Sequence, residues 1–126
     1  MDANVDIAAR LIAAIEAGDP DAVRALYADD FVIWHNNDGQ TQTKEENLAV
    51  LGWLIRNVKD RRYENVRRSP TPTGFVQQHV LRGVWPNGQA LELPACLIGE
   101  VRDGLITRLD EYLDSAAVPG RAPAQG

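Results

Sequence analysis

The chain has 126 residues, of which 44% are hydrophobic and 25% charged, with a formal net charge of −5. This is the size and composition of one globular domain whose core can enclose a modest cavity. The negative balance argues against nucleic acid or an anionic membrane surface as partner, and no apolar run approaches the ~18 residues of a membrane span. Cys96 is the single cysteine. An intrachain disulfide and cysteine-pair zinc motifs are therefore excluded, and no metal site is expected. With no cationic segment followed by an apolar run at the start, no signal peptide is expected, and a cytoplasmic location is the default.

In chain order, Val5, Ile7, Ala8, Leu11, Ile12 and Ile15 recur at helical spacing, so a first helix is predicted, stopped by Gly18. Asp19 and Pro20 then cap and open a short second helix with Val23, Leu26 and Tyr27 on its buried side. "ADD" closes it before a strand at Phe31–Trp34, which runs into His35, Asn36, Asn37 and a turn at Asp38-Gly39. Thr43 to Glu46 form a capping box for a third helix over roughly 44 to 59. From Tyr63 the period changes to that of strands. "PTPTG", Pro86-Asn-Gly88 and Asp103-Gly104 mark the turns of a meander. The basic stretch "KDRRYENVRR" is broken by Asp60 and Glu64 and reads as a solvated edge. The order is α-α-β-α-β-β-β-β. It predicts an α+β fold over residues 1–115, a curved antiparallel sheet with three N-terminal helices packed on it. A mobile tail is expected over 116–126.

Strand periodicity selects candidate chemistry. In "LITRLDEYLD" the odd positions, Leu105 to Leu113, form a mostly leucine face that includes Glu111, a carboxylate in apolar company. In "GFVQQHVLRGVW" Phe75, Gln77, His79 and Leu81 share a face. If His79 meets Glu111, the pair forms a base and its orienter. His35 then serves as a second acid/base group at the pocket mouth, and Gln77 or Asn36 holds a water or a carbonyl oxygen. Each residue has a plainer reading beside this one. His35 is also readable as a turn residue, His79 as a hydrogen-bonded strand histidine, and Glu111 as a partner of Arg108 or Arg82. Trp34, Trp53 and Trp85 suit core or dimer packing as well as substrate stacking. Cys96 suits a small buried hydrophobe.

"IEAGDPDAVRALYADDFVIWHN" near the start and "VRDGLITRLDEYLD" near the end give most of residues 5 to 115 a resemblance to the nuclear transport factor 2-like superfamily, in its SnoaL-like branch. The resemblance implies a cone-shaped fold, a homodimer through the sheet face, and a cofactor-free pocket for a small hydrophobic molecule such as a terpenoid, polyketide or steroid fragment. In ketosteroid isomerases the general base corresponds to His35, an oxyanion-donating tyrosine to Leu11, and a second acid to the neighbourhood of Cys96. Two of those three positions depart from the pattern, which argues against steroid isomerisation. In limonene epoxide hydrolases an Arg-x-Asp corresponds to Gln77-x-His79, a second aspartate to Glu111, and a Tyr-x-Asn roughly to Trp34-His35-Asn36. The expectation is a hydrolase, lyase or isomerase working by acid/base catalysis. The alternative is a non-catalytic ligand-binding or dimeric interaction domain of the same fold.

Overall fold

The computed structural model describes residues 2–117. Helices α1 (Ala3–Ala17) and α2 (Pro20–Leu26) lead into strands β1 (Tyr27–His35) and β2 (Thr41–Thr43) and helix α3 (Lys44–Asn57). Strands β3 (Lys59–Pro70), β4 (Gly74–Val84), β5 (Ala90–Arg102) and β6 (Leu105–Leu113) follow, then one 3-10 turn over Ser115–Ala117. The tail expected from residue 116 lies, from residue 118 on, outside the described residues.

The helices begin and end where their sequences dictate. Asp2 accepts from the Asn4 and Val5 amides at the start of α1, and Gly18 closes it with φ +71°. Asp19 accepts from the Ala22 amide ahead of Pro20. The Thr43–Glu46 capping box is complete. Helix α2 ends earlier than predicted, because Tyr27 to Asp30 belong to β1. Tyr27 and Phe31 stack with ring centroids 3.7 Å apart. In a regular strand residues four apart are separated by roughly 13 Å, so β1 is bent between them. The pairing register with β6 shifts over the same stretch, between Tyr27 and Val32.

One six-stranded sheet runs in the order β2-β1-β6-β5-β4-β3. Its pairings are antiparallel except for β1 with β6, which is parallel. The basic stretch forms the edge strand β3, as the charge pattern predicts. Helices α1 and α2 supply Ile7, Leu11, Ile15, Val23 and Leu26 to the main core, which Phe31, Phe75, Ile106 and Leu109 of the sheet complete. Phe75 lies under Gly99 of β5. A Cβ there would come within 2.4 Å of the ring, so only glycine lets the ring cross the neighbouring strand.

The sequence-based face of β6 needs one correction. Leu105 is exposed and Ile106 is fully buried. The β5–β6 register steps from Glu100–Arg108 to Val101–Ile106, leaving Thr107 without a partner. This bulge reverses the alternation at the start of the strand only. Leu109, Glu111 and Leu113 keep the inward face predicted for them.

Candidate active site

The concave side of the sheet, α1 and α3 enclose a cavity of about 250 Å³. That is below the roughly 300–1,000 Å³ common for small-molecule sites, so a compact ligand is implied. Aliphatic side chains of α1, α3 and the strands make most of its wall, among them Leu11, Ile12, Leu51, Leu81 and Leu97. His35, His79 and Glu111, the three acid/base candidates, all line it.

Their pairing differs from the sequence expectation. His35 and Glu111 are opposite each other in the β1–β6 register, and His35 Nε2 lies 3.1 Å from Glu111 Oε1. Glu111 therefore takes its imidazole from the neighbouring strand, and Arg108 and Arg82 pair with other carboxylates. His79 does not reach Glu111. Strand β5 runs between them: Leu97 faces Glu111 on one side and Gln77 on the other. Two strand spacings of ~4.8 Å put the rows roughly 10 Å apart, with Leu97 between them on the cavity wall.

His79 is 5% exposed. Its Nδ1 lies 2.8 Å from Gln77 Nε2, and its ring meets the Tyr63 ring edge-on at 4.7 Å. Gln77, 1% exposed, does not line the cavity but stands behind His79, where its Oε1 accepts from Arg68 Nε at 2.9 Å. Burial pushes the His79 imidazole below its usual range. The Arg68 charge adds to this and the Glu111 charge opposes it.

Leu11 and Trp53 line the cavity. Trp53, 45% exposed, sits at the rim with its ring tilted against Trp85, centroids 5.9 Å apart. Trp34, Asn36 and Cys96 are corrections. None of them lines the cavity, because alternation along β1 and β5 sends their side chains to the opposite sheet face. Trp34 packs edge-on against Tyr112 there. Asn36 and Cys96 border a shallow hollow on that face, where Asn36 Oδ1 accepts from the Leu113 amide at 2.8 Å.

Sequence reasoning missed Tyr27, Asn47 and Tyr63. The Tyr27 hydroxyl donates to Asn47 Oδ1 at 2.8 Å, and Asn47 Nδ2 donates to Gln42 Oε1 at 3.3 Å. Burial, aided by the Glu111 charge, raises both tyrosine pKa values, so both hydroxyls stay protonated. The sequence pattern buries Tyr27 on a helix rather than on β1, and Tyr63 stands at the start of a charged strand, so neither is marked as a cavity residue. The cavity has two carboxylates, Asp38 and Glu111, and neither lysine nor arginine among its described lining residues. Asn37 Oδ1 and Trp85 Nε1 are buried without a partner among the described residues.

Comparison with known proteins agrees with this architecture. A model of the SnoaL-like domain matches residues 8–109. No curated protein matches the chain. A solved structure of a proposed polyketide cyclase from Xanthomonas campestris superposes with a TM-score of 0.80 at 23% identity, covering 90% of this chain and 92% of that one. PrhC from Penicillium brasilianum superposes with a TM-score of 0.83 at 13% identity, over 98% and 89%. A Catenulispora acidiphila protein of ketosteroid isomerase-like fold, solved with trimethylamine, gives 0.79 at 17%, over 90% and 88%. At these identities the likeness is one of fold. With the domain match spanning most of its length, the chain belongs to the SnoaL-like family.

Proposed function

We propose that this protein is a cofactor-free acid/base enzyme acting on a small, mainly apolar molecule of terpenoid, polyketide or steroid-fragment type. The observation that carries the reading is that titratable groups from three strands line one apolar cavity: the His35–Glu111 pair of β1 and β6, and His79 of β4 beyond β5. In this reading Glu111, held by His35, takes a proton from a carbon acid or a water. His79 supplies a hydrogen bond or a proton to the substrate oxygen. Such a site supports isomerisation, loss or addition of water, or aldol-type ring closure, and general acid/base groups contribute about 10²–10⁴-fold each. Leu11 and Trp53 shape the apolar end. The names of fold neighbours, a proposed polyketide cyclase and a ketosteroid isomerase-like protein, are in keeping with proton-transfer chemistry.

The partner expected for the opposite sheet face is a second copy of the chain. Exposed Ile98 and Tyr112, with Trp34 against Tyr112, support that reading. The unpaired Cys96 suits the reducing cytoplasm.

The test is turnover across a panel of small ketones, epoxides and β-hydroxycarbonyl compounds. On any substrate found, Glu111→Gln keeps the shape and removes the base, so kcat falls at least about 10²-fold. His79→Ala falls comparably while the fold stays cooperative. Wild-type turnover by either variant removes that residue's role. Binding of panel members with no turnover by the native protein favours the ligand-binding alternative instead.

A further inference from the structure

We propose that Arg68, outside the cavity, sets the tautomer of His79 through Gln77 and so makes that imidazole a hydrogen-bond donor to the cavity rather than a base. The inference follows from donor chemistry. A guanidinium donates and never accepts. Arg68 Nε, 2.9 Å away, therefore holds the Gln77 amide with its oxygen toward the guanidinium. The amide NH₂ is left facing His79 Nδ1 at 2.8 Å. The nitrogen receiving that N–H bears a lone pair, so the proton of the neutral ring sits on Nε2. Turning the amide over would set two donors against each other and leave the Arg68 Nε–H without its acceptor. Gln77 is 1% exposed, so bulk water is not at hand to relieve that mismatch.

The groups facing His79 are few: Arg68 and Tyr63 from β3, Gln77 on its own strand, and the Glu111 charge from β6. None of them is placed to accept from Nδ1, whereas Nε2–H is free to serve an oxygen in the cavity. Arg68 and Gln77 are positioning residues, since neither lines the cavity. The consequence for turnover rests on the acid/base reading above, but the tautomer itself does not. It also reverses the role that strand periodicity gives His79.

The chain contains two histidines, so two-bond ¹⁵N–¹H spectra of labelled protein near pH 7.5 resolve the question, with His35→Asn assigning the signals. In the native protein His79 should show an unprotonated Nδ1 and a protonated Nε2. Gln77→Glu, whose carboxylate stays paired with Arg68, should invert the pattern by accepting from Nδ1–H. Arg68→Ala should give a mixture of tautomers, and Arg68→Lys should restore the native one. A native spectrum with the proton on Nδ1 overturns the proposal, and so does an Arg68→Ala spectrum identical to the native one. If a substrate is known, Gln77→Glu should also lower its turnover by roughly 10²-fold. Inversion of the tautomer with turnover intact would uphold the lock and overturn the catalytic role of His79.

Discussion

A buried imidazole with an uncharged hydrogen-bond partner costs the fold stability when it takes up a proton. His79 is in this position: burial lowers its pKa, Arg68 assists, and Glu111 opposes. The unfolded chain, with an ordinary histidine pKa near 6.5, then binds more protons than the folded one below that pH. Stability from this residue is therefore present above about pH 6.5 and is lost as pH falls toward the folded pKa. The native Tm should drop as pH falls below about 6.5, and His79→Gln should flatten that part of the curve. A variant with the same acid-limb slope as the native protein would show that His79 is not the group concerned. At this scale the sequence was informative about which side chains point inward. Period-two alternation marked the Glu111 face of β6 as inward, because its companions are leucines, but left the two faces of β4 equally mixed, so the burial of Gln77 and His79 was not legible in that strand alone. It could not say which imidazole meets Glu111, since that depends on which strands are neighbours.

Among the elements, the helix starts were legible because capping is local: a side chain bonds to an amide two or three residues away. The tie between α1, α3 and the sheet was not. Arg61 of β3 donates from Nε to the Ile15 carbonyl at 3.1 Å, and from Nη1 to the Ile55 and Val58 carbonyls at 3.0 and 2.6 Å. One guanidinium thus binds carbonyls at two helix C-termini, the Ile15 one shared with the Gly18 amide, where a positive charge is also favoured by the helix dipole. Arg61→Ala should cost about 2–3 kcal/mol, the order of hydrogen bonds to a charged group. Arg61→Lys should recover only part of it, because an ammonium lacks the planar spread of donors. Urea unfolding midpoints measure both, and an unchanged midpoint for Arg61→Ala would remove this role. The bulges in β1 and at Thr107 were equally invisible, because a bulge is a mismatch between two strands and leaves no mark on either one alone.

For the whole molecule, the lining of the cavity makes a charge preference testable. Asp38 and Glu111 are its carboxylates, and among the described lining residues none is lysine or arginine. A small apolar carboxylic acid should therefore bind at least about tenfold more weakly than its methyl ester at pH 7.5, a difference of ~1.4 kcal/mol. Quenching of Trp53 and Trp85 at the rim reports both affinities. Equal affinities would show that the two carboxylates do not govern what enters.

From the sequence alone came the α+β class, the three helices, the meander and the inward face of β6 around Glu111, since hydrophobic period and turn chemistry are written over a few residues. The tertiary structure decided that β1 lies parallel beside β6, bringing His35 against Glu111 across 76 positions of chain. It also decided that β5 separates Glu111 from His79, that Trp34, Asn36 and Cys96 fall on the far face, and that Arg68 reaches Gln77. These are matters of strand order and register, set by which pairing buries the most apolar surface over the whole sheet, and no local stretch of residues records that sum.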